Sequence, residues 1–147
     1  MSGEDYPGGP LDIPTLEVLA RRADTHPLVD RWAFEPDALS PRTLVLHFDL
    51  AQYPSAVESA RLDVRWFEGG DYTLHYVESW GYEVWQCRWD RHPKPDEPRA
   101  HFHPPPEAAP DVEPSKLDSK HHLGVLFAVL DWITERAEQS LDSYSSV

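Results

Sequence analysis

A short helix is predicted near the N-terminus, because apolar residues recur there at spacings of three and four. The helix covers about residues 15–24, with Thr15 as its N-cap and Pro14 outside it. Its apolar face is formed by Leu16, Leu19, Ala20 and Ala23. A helix of this length is not stable alone in water. We therefore expect it to pack on another element of the fold.

A longer helix is predicted from residue 121 to about residue 141. It carries two neighbouring apolar stripes, which are formed by Leu126, Leu130, Ile133 and Ala137 and by Val125, Val129 and Trp132. This apolar face is wider than packing on a sheet requires. We expect it to cover the sheet and to leave surface for the first helix or for a second subunit, which would make the protein a homodimer.

Between the two helices the apolar period changes to two, which is typical of half-buried strands. Residues 42–49 and 61–67 alternate in this way. Residues 68–71 contain a Gly-Gly pair and predict a hairpin into a third strand. A second turn at 79–81 leads into a strand over 82–90. The pattern predicts an antiparallel meander of about five or six strands, apolar on one face and rich in arginine and histidine on the other.

The domain organisation follows from where these patterns stop. Residues 92–114 contain eight prolines, a density that neither a helix nor a central strand tolerates, so they predict a Pro- and His-rich loop. Residues 12–141 are predicted to form one α+β domain, with the long C-terminal helix packed on one face of the meander. Residues 1–11 and 142–147 are predicted to be flexible tails.

The charge of the chain is strongly acidic. Its 147 residues hold 26 Asp and Glu against 13 Lys and Arg, a net charge of −13, and 40% of the residues are hydrophobic, which is too many for a disordered chain. Such a charge repels nucleic acid at ordinary salt. It is also typical of proteins of extreme halophiles, in which a Debye length of about 3 Å leaves only direct contacts by arginine effective. The acidity therefore does not exclude an RNA substrate.

The single cysteine and the apolar runs indicate a cellular compartment. Cys87 has no partner for an internal disulfide, and it alternates with two tryptophans, which predicts a core position. The N-terminal residues have neither the basic nor the apolar region of a signal peptide, and the longest run without a polar side chain, 123–130, is far below the ~20 residues that span a bilayer. We expect a cytoplasmic protein with no membrane segment.

Candidate chemistry concentrates after the last predicted strand, where five of the eight histidines lie. Phosphate-binding loops, nucleophile elbows and metalloprotease motifs are missing from the sequence. The five residues are His92, His101, His103, His121 and His122. In an extended segment the two imidazoles of the His-Phe-His motif at 101–103 would lie on the same side.

Three interpretations of this histidine cluster are open. The first is a general acid/base site in which histidine moves protons while arginine binds phosphate, as a metal-independent ribonuclease requires. The second is a metal site, with ligands drawn from His101, His103, His121 and His122 and a fourth from Asp90 or His92. The third is a solvated, proline-stiffened loop whose histidines cap the following helix.

The first interpretation places the site on the open face of the sheet and needs no cofactor. Its catalytic residues are His101, His103, His75, Arg88 and Asp90, and its phosphate-binding residues are Arg65, Arg91 and His92. Tyr76 is assigned to the core. The alternative for Arg65 and His75 is that they are ordinary exposed strand residues, paired with Asp63 and Glu78.

Several short motifs occur in a recognisable order. They are V-R-W-F-E-G-G-D-Y-T-L-H-Y at 64–76, C-R-W-D at 87–90, H-F-H at 101–103 and V-E-P-S at 112–115, before a terminal helix. In this order the chain resembles the TumE-type toxin family of prokaryotic toxin–antitoxin pairs. The resemblance covers about residues 60–137, and residues 1–40 and 104–111 have no counterpart in it. Where the family has R-W-D-N-x-P-H-H and H-H-K-H, this chain has R-W-D-R-H-P and H-F-H.

The resemblance implies a toxin-like protein that acts on RNA or translation and is neutralised by an antitoxin encoded nearby. Together with the arginine and histidine site, it predicts a metal-independent endoribonuclease or translation inhibitor. Two alternatives remain. One is a non-catalytic protein-binding or regulatory module of a halophile, which recognises its partner through the proline-rich segment and the helix stripe. The other is a protein that binds a metal through histidine.

Overall fold

The computed structural model describes residues 9–92, 99–110 and 112–145. In these residues two α-helices and seven β-strands surround one core, which confirms the predicted α+β class. The elements are α1 (Ile13–Ala23), β1 (Val29–Glu35), β2 (Thr43–Phe48), β3 (Ser59–Trp66), β4 (Tyr72–Trp80), β5 (Glu83–Arg91), β6 (Ala100–His103), β7 (Glu113–Pro114) and α2 (His122–Ser145). Neither helix of the described chain combines the length and the apolar character that a membrane span requires.

The strands form one antiparallel sheet in which the spatial order follows the chain order from β1 to β7. This is the predicted meander. Its two tightest hairpins contain Gly70 and Gly81, whose φ angles of 89° and 75° are easily adopted only without a Cβ atom. Because β4 continues to Trp80, the second turn is shorter than predicted.

Two strands lie inside the segment 92–114, where the density of prolines predicted no central strand. That prediction was wrong, because β6 lies between β5 and β7. The four residues of β6 include no proline, so every backbone amide there can pair. The two-residue strand β7 contains Pro114, but it lies at the edge of the sheet, where proline is tolerated. Residues 93–98 and 111 of this segment lie outside the described residues.

The first helix begins two residues earlier than predicted, because its N-cap is Asp12 rather than Thr15. The Asp12 carboxylate accepts hydrogen bonds from the backbone N of Thr15 at 3.1 Å and from its hydroxyl at 2.7 Å. Aspartate is a preferred N-cap, and proline is tolerated in the first turn, so Pro14 lies inside the helix. The predicted apolar face of α1 is buried.

Residues that were assigned to the two predicted tails take part in the folded domain. Leu11 forms a β-bridge with Phe67, and the backbone N of Glu68 donates to the carbonyl of Pro10 at 2.9 Å. Residues 10 and 11 therefore belong to the folded domain, whereas residues 1–8 lie outside the described residues. At the C-terminal end α2 continues to Ser145, four residues past its predicted end. Residues 146–147 lie outside the described residues.

The long helix α2 packs across the apolar face of the sheet, with α1 beside it. Its core positions are those of the predicted stripes: Val125, Leu126, Val129, Leu130, Ile133 and Ala137 are buried. Trp132 packs within the same chain, with its ring centre 5.1 Å from that of Trp89 and 6.2 Å from that of Trp85. The second stripe is thus largely occupied by the sheet.

We expect Trp132→Glu to lower the free energy of unfolding by roughly 2 kcal/mol or more, because a carboxylate would replace an indole in an aromatic cluster. Chemical denaturation measures this. The exposed change Gln139→Glu on the same helix should alter stability by less than about 0.5 kcal/mol. If Trp132→Glu keeps its stability and only converts a dimer to a monomer on size exclusion, the side chain serves an interface between two copies.

Candidate functional site

The open face of the sheet, opposite the helices, lines up polar residues in two rows across the strands. Residues that face each other in an antiparallel sheet point to the same side, so the register decides which side chains meet. One row contains Asp63, His75, Arg88 and His103, and the next contains Arg65, Thr73, Asp90 and His101. Six residues predicted for the site, drawn from four strands, therefore share this face.

Arg88, Asp90 and His103 form one hydrogen-bonded cluster. Arg88 Nε donates to Asp90 Oδ2 at 2.9 Å, while His103 Nε2 lies 3.0 Å from the same oxygen and 3.1 Å from Arg88 Nη2. His103 Nδ1 donates to the carbonyl of Ala109 at 2.8 Å. With Nδ1 protonated, Nε2 can accept from arginine when neutral or donate to aspartate when charged. In the neutral state His103 and Asp90 both hold the Arg88 guanidinium, and in the charged state Asp90 holds it.

A cavity of about 240 Å³ lies beside this cluster on the open face. Arg65, His75 and Arg88 line it together with Thr43, Asp63 and Thr73. His75 Nε2 is 2.7 Å from Gln86 Oε1, and Arg65 Nε donates to the carbonyl of Arg42 at 3.2 Å. The alternative pairing of Arg65 and His75 with Asp63 and Glu78 is not found, because both side chains have these other partners and Glu78 is buried on the opposite face. Arg65 is nevertheless exposed, as that alternative expects, and His75 is half-buried.

The two histidines of β6 lie on the same side of the strand, as predicted, but both are buried. His101 is 1% exposed and His103 is 5% exposed. His101 Nδ1 donates to the carbonyl of Arg99 at 3.0 Å, and its ring stacks on that of His92, with 5.2 Å between centres. Residues 104–110 fold back along β5 and lie against His103. In this arrangement neither imidazole lines the cavity.

Arg91, a predicted phosphate ligand, is directed away from the open face. Arg91 Nη1 lies 3.3 Å and Arg99 Nη2 3.1 Å from Asp71 Oδ1, and the Asp71 side chain is fully buried. The sequence analysis did not identify Asp71 as a site residue, because it follows the Gly-Gly pair and was assigned to the hairpin turn. Its other oxygen, Oδ2, has no hydrogen-bond partner in the described part of the chain.

The four histidines of the metal interpretation are not brought together. His122 lies on the helix-covered side, 6.1 Å from the Trp66 ring, and His121 stacks on it at 4.1 Å, whereas His101 and His103 are on the open face. His121 Nδ1 instead accepts from the backbone N of Leu123 at the start of α2, which is the capping role of the third interpretation. Across residues 9–92, 99–110 and 112–145 no group of three His, Cys, Asp or Glu side chains could hold a metal ion.

A second polar cluster lies under α2, and the sequence analysis missed it. Glu78 is fully buried and accepts hydrogen bonds from the Tyr76 hydroxyl at 2.6 Å, from Trp80 Nε1 at 2.8 Å and from Arg136 Nη2 at 2.8 Å. Arg136 also stacks over the Trp85 ring at 3.7 Å. The alternation along β4 could have indicated this cluster, because Glu78 follows Leu74 and Tyr76 at intervals of two and therefore lies on the same buried face.

Burial in this region suppresses ionisation of its weak acids. Loss of hydration raises the pKa of the Tyr76 hydroxyl, and the neighbouring Tyr53 and Glu78 raise it further. Burial likewise raises the pKa of the Cys87 thiol. Tyr76 therefore stays a hydrogen-bond donor to Glu78, and Cys87 stays a neutral core residue as predicted, not a thiolate nucleophile.

Comparison with known proteins gives one match. A family model described as Toxin TumE matches residues 16–137, which extends from α1 into α2. The match begins well before residue 60, where the motif resemblance begins. The N-terminal part of the domain had no counterpart in that resemblance, but it belongs to the family pattern from residue 16 onward. No curated protein and no solved structure matches the chain.

Proposed function

Since the chain belongs to the TumE toxin family, it is the toxin component of a toxin–antitoxin system, and we propose that it arrests growth by cleaving RNA on the open face of its sheet. The observation that carries this proposal is the cavity in which Arg65 and Arg88 accompany His75. Guanidinium groups bind phosphate and stabilise transition-state charge, and imidazole transfers protons near neutral pH. Such a reaction requires no cofactor.

The distribution of arginine supports an anionic substrate in spite of the net charge of −13. Arg31, Arg61, Arg65 and Arg88 all lie on the open face by strand register, and the Asp63 and Asp90 carboxylates there are paired with Arg61 and Arg88. In the cytosol of an extreme halophile, the setting that we propose, the Debye length of about 3 Å would suppress repulsion at a distance. Contacts made by these arginines would then determine RNA binding.

In the proposed reaction His75 takes the proton of an RNA 2′-hydroxyl. The 2′ oxygen attacks the adjacent phosphorus, the bond from phosphorus to the 5′ oxygen breaks, and that oxygen takes a proton from solvent. The products are a 2′,3′-cyclic phosphate and a 5′-hydroxyl, and His75 returns its proton to water. The hydrogen bond from His75 Nε2 to Gln86 leaves the lone pair on Nδ1. Arg65 and Arg88 bind the non-bridging phosphate oxygens.

The cluster behind the cavity has a positioning role in this proposal. Asp90 and His103 hold two edges of the Arg88 guanidinium, and Arg88 lines the cavity, which leaves its remaining donors for the substrate. His101 lies opposite Asp90 in the register and supports the same strand pairing. The proton transfer first predicted for His101 or His103 is assigned to His75, because His75 lines the cavity and the other two are buried.

Cleavage of RNA by the purified protein tests the proposal. We expect products with cyclic phosphate ends, unchanged activity in excess EDTA, and a rate at least about 100-fold lower for His75→Ala, because general base catalysis contributes 10²–10⁴-fold. The matched control is His121→Ala, which removes an exposed histidine outside the cavity and should keep full activity.

Two outcomes would contradict this proposal. Stoichiometric metal in the purified protein, together with loss of activity in EDTA and in His121→Ala, would favour the metal interpretation. A wild-type protein that blocks translation in a cell extract without cutting RNA would show that it acts by binding.

A further inference from the structure

A continuous groove runs along one side of α2, between the helix and strands β5–β7. Three neighbouring cavities of about 410, 200 and 670 Å³ make it up, and they adjoin through shared walls at Trp132 and Arg136. From Ala128 to Ser143 the helix wall extends about 22 Å, at about 1.5 Å per residue. We call this surface the helix groove. It lies on the opposite side of the sheet from the cavity that contains His75.

The floor of the helix groove is aromatic. Trp89, Phe102 and Trp132 line one end, and Trp80, Trp85 and Tyr144 line the other. Val84 and Tyr144 remain 50% and 60% exposed, and both border the groove. An apolar furrow of this length bordered by polar residues marks a protein interaction site better than a small-molecule pocket.

The rim of the helix groove is acidic. Its carboxylates are Glu83, Glu107, Glu113, Asp131 and Glu135. The cations that line it are Lys116 and Arg136, and the charge of Arg136 is met by the buried Glu78. The occupant should therefore carry positive charge around an apolar centre. In a symmetric dimer a second copy would bring the same acidic rim against this one, which does not meet that requirement.

The shape of the surface favours a helical occupant over an added strand. The edge strand β7 is two residues long and ends in Pro114, which cannot donate to a further strand. A groove that follows a helix for about 22 Å accommodates an amphipathic helix of about 15 residues. Leucine or aromatic side chains at intervals of three and four would fill the floor, and lysine or arginine would pair with the rim.

From these observations we infer that the helix groove binds a basic amphipathic helix of the antitoxin. The inference rests on the proposed toxin role only for the identity of the partner. Binding there leaves the cavity with His75 uncovered. An antitoxin bound in the groove could therefore neutralise the toxin in two ways. It could change the cavity at a distance, through α2 and β5, or it could cover the open face with another part of its chain.

The test uses the full-length chain and the protein encoded by the adjacent reading frame, both purified, with affinity measured by calorimetry. Glu135→Lys reverses an exposed rim charge, and Gln139→Trp fills the middle of the groove. We expect each to weaken binding at least about tenfold. The matched controls Glu138→Lys and Glu138→Trp change an exposed residue on the same helix that does not line the groove, and they should stay within about twofold of wild type.

A cellular measurement separates this inference from the ribonuclease proposal. Glu135→Lys should arrest growth as wild type does when produced alone, but co-expression of the neighbouring protein should no longer restore growth. Equal affinity of the wild type, Glu135→Lys and Gln139→Trp for the neighbouring protein would overturn the inference. A wild-type chain that forms a dimer, which Glu135→Lys dissociates, would also overturn it, because the groove would then bind a second copy. A wild-type chain that fails to arrest growth would contradict the proposed function, while calorimetry would still decide the groove.

Discussion

Arg88→Lys should remove most of the growth arrest and leave the fold intact. The planar guanidinium of Arg88 contacts Asp90 through Nε and His103 through Nη2 and still borders the cavity. A lysine ammonium keeps the charge but cannot make these contacts and bind a phosphate in the same plane. Loss of one positioned donor at a transition state typically costs 10²–10³-fold in rate. We expect a loss of about that size in RNA cleavage.

Growth after induction, paired with a thermal melt, measures the effect of Arg88→Lys. The matched control is Arg21→Lys, an exposed site on α1 on the other side of the sheet, which should remain fully toxic. His101→Ala and His103→Ala should also lose toxicity, the second because it releases Arg88. If both histidine variants fold and remain fully toxic, the positioning role assigned to His101 and His103 is wrong. If His75→Ala also folds and remains fully toxic, the protein acts on its target by binding.

Arg136→Met should lower the free energy of unfolding by about 3–5 kcal/mol, the usual cost of leaving a buried charge without its partner. Glu78 has no exposed surface, and Arg136 supplies two of its hydrogen bonds, at 2.8 and 3.1 Å. Methionine keeps the aliphatic stem and removes only the charge and the donors. The effect is measured by denaturant unfolding at neutral pH.

An exposed ion pair provides the control for this second prediction. Arg61 Nε lies 3.2 Å from Asp63 Oδ1, with the arginine side chain 42% exposed, so Arg61→Met should cost less than about 1 kcal/mol. The double variant Glu78→Gln/Arg136→Met should recover part of the stability lost in Arg136→Met, because no charge then remains buried. Equal losses for Arg61→Met and Arg136→Met would contradict a stabilising role for the Glu78–Arg136 pair.

The sequence by itself determined the elements that depend on local periodicity. Alternation with a period of two located β2 to β5, the Gly-Gly pair located a hairpin, and apolar spacings of three and four located both helices. These features follow from backbone geometry and short-range packing, so they can be read without knowing what the chain folds against. The same alternation placed Arg65, His75 and Arg88 on one face, since side-chain direction along a strand is a local property.

Only the tertiary structure decided which of these groups meet. Glu78 and Arg136 are 58 positions apart in the sequence, and their pairing exists because α2 crosses β4 and β5. The burial of His103 depends on residues 104–110 folding back on β5, and the attachment of Arg91 to Asp71 depends on the register between two strands. Register and helix placement arise from many distant contacts at once. For that reason the residues of the site were recognisable in the sequence. Which of them line the cavity and which only support the lining residues was not.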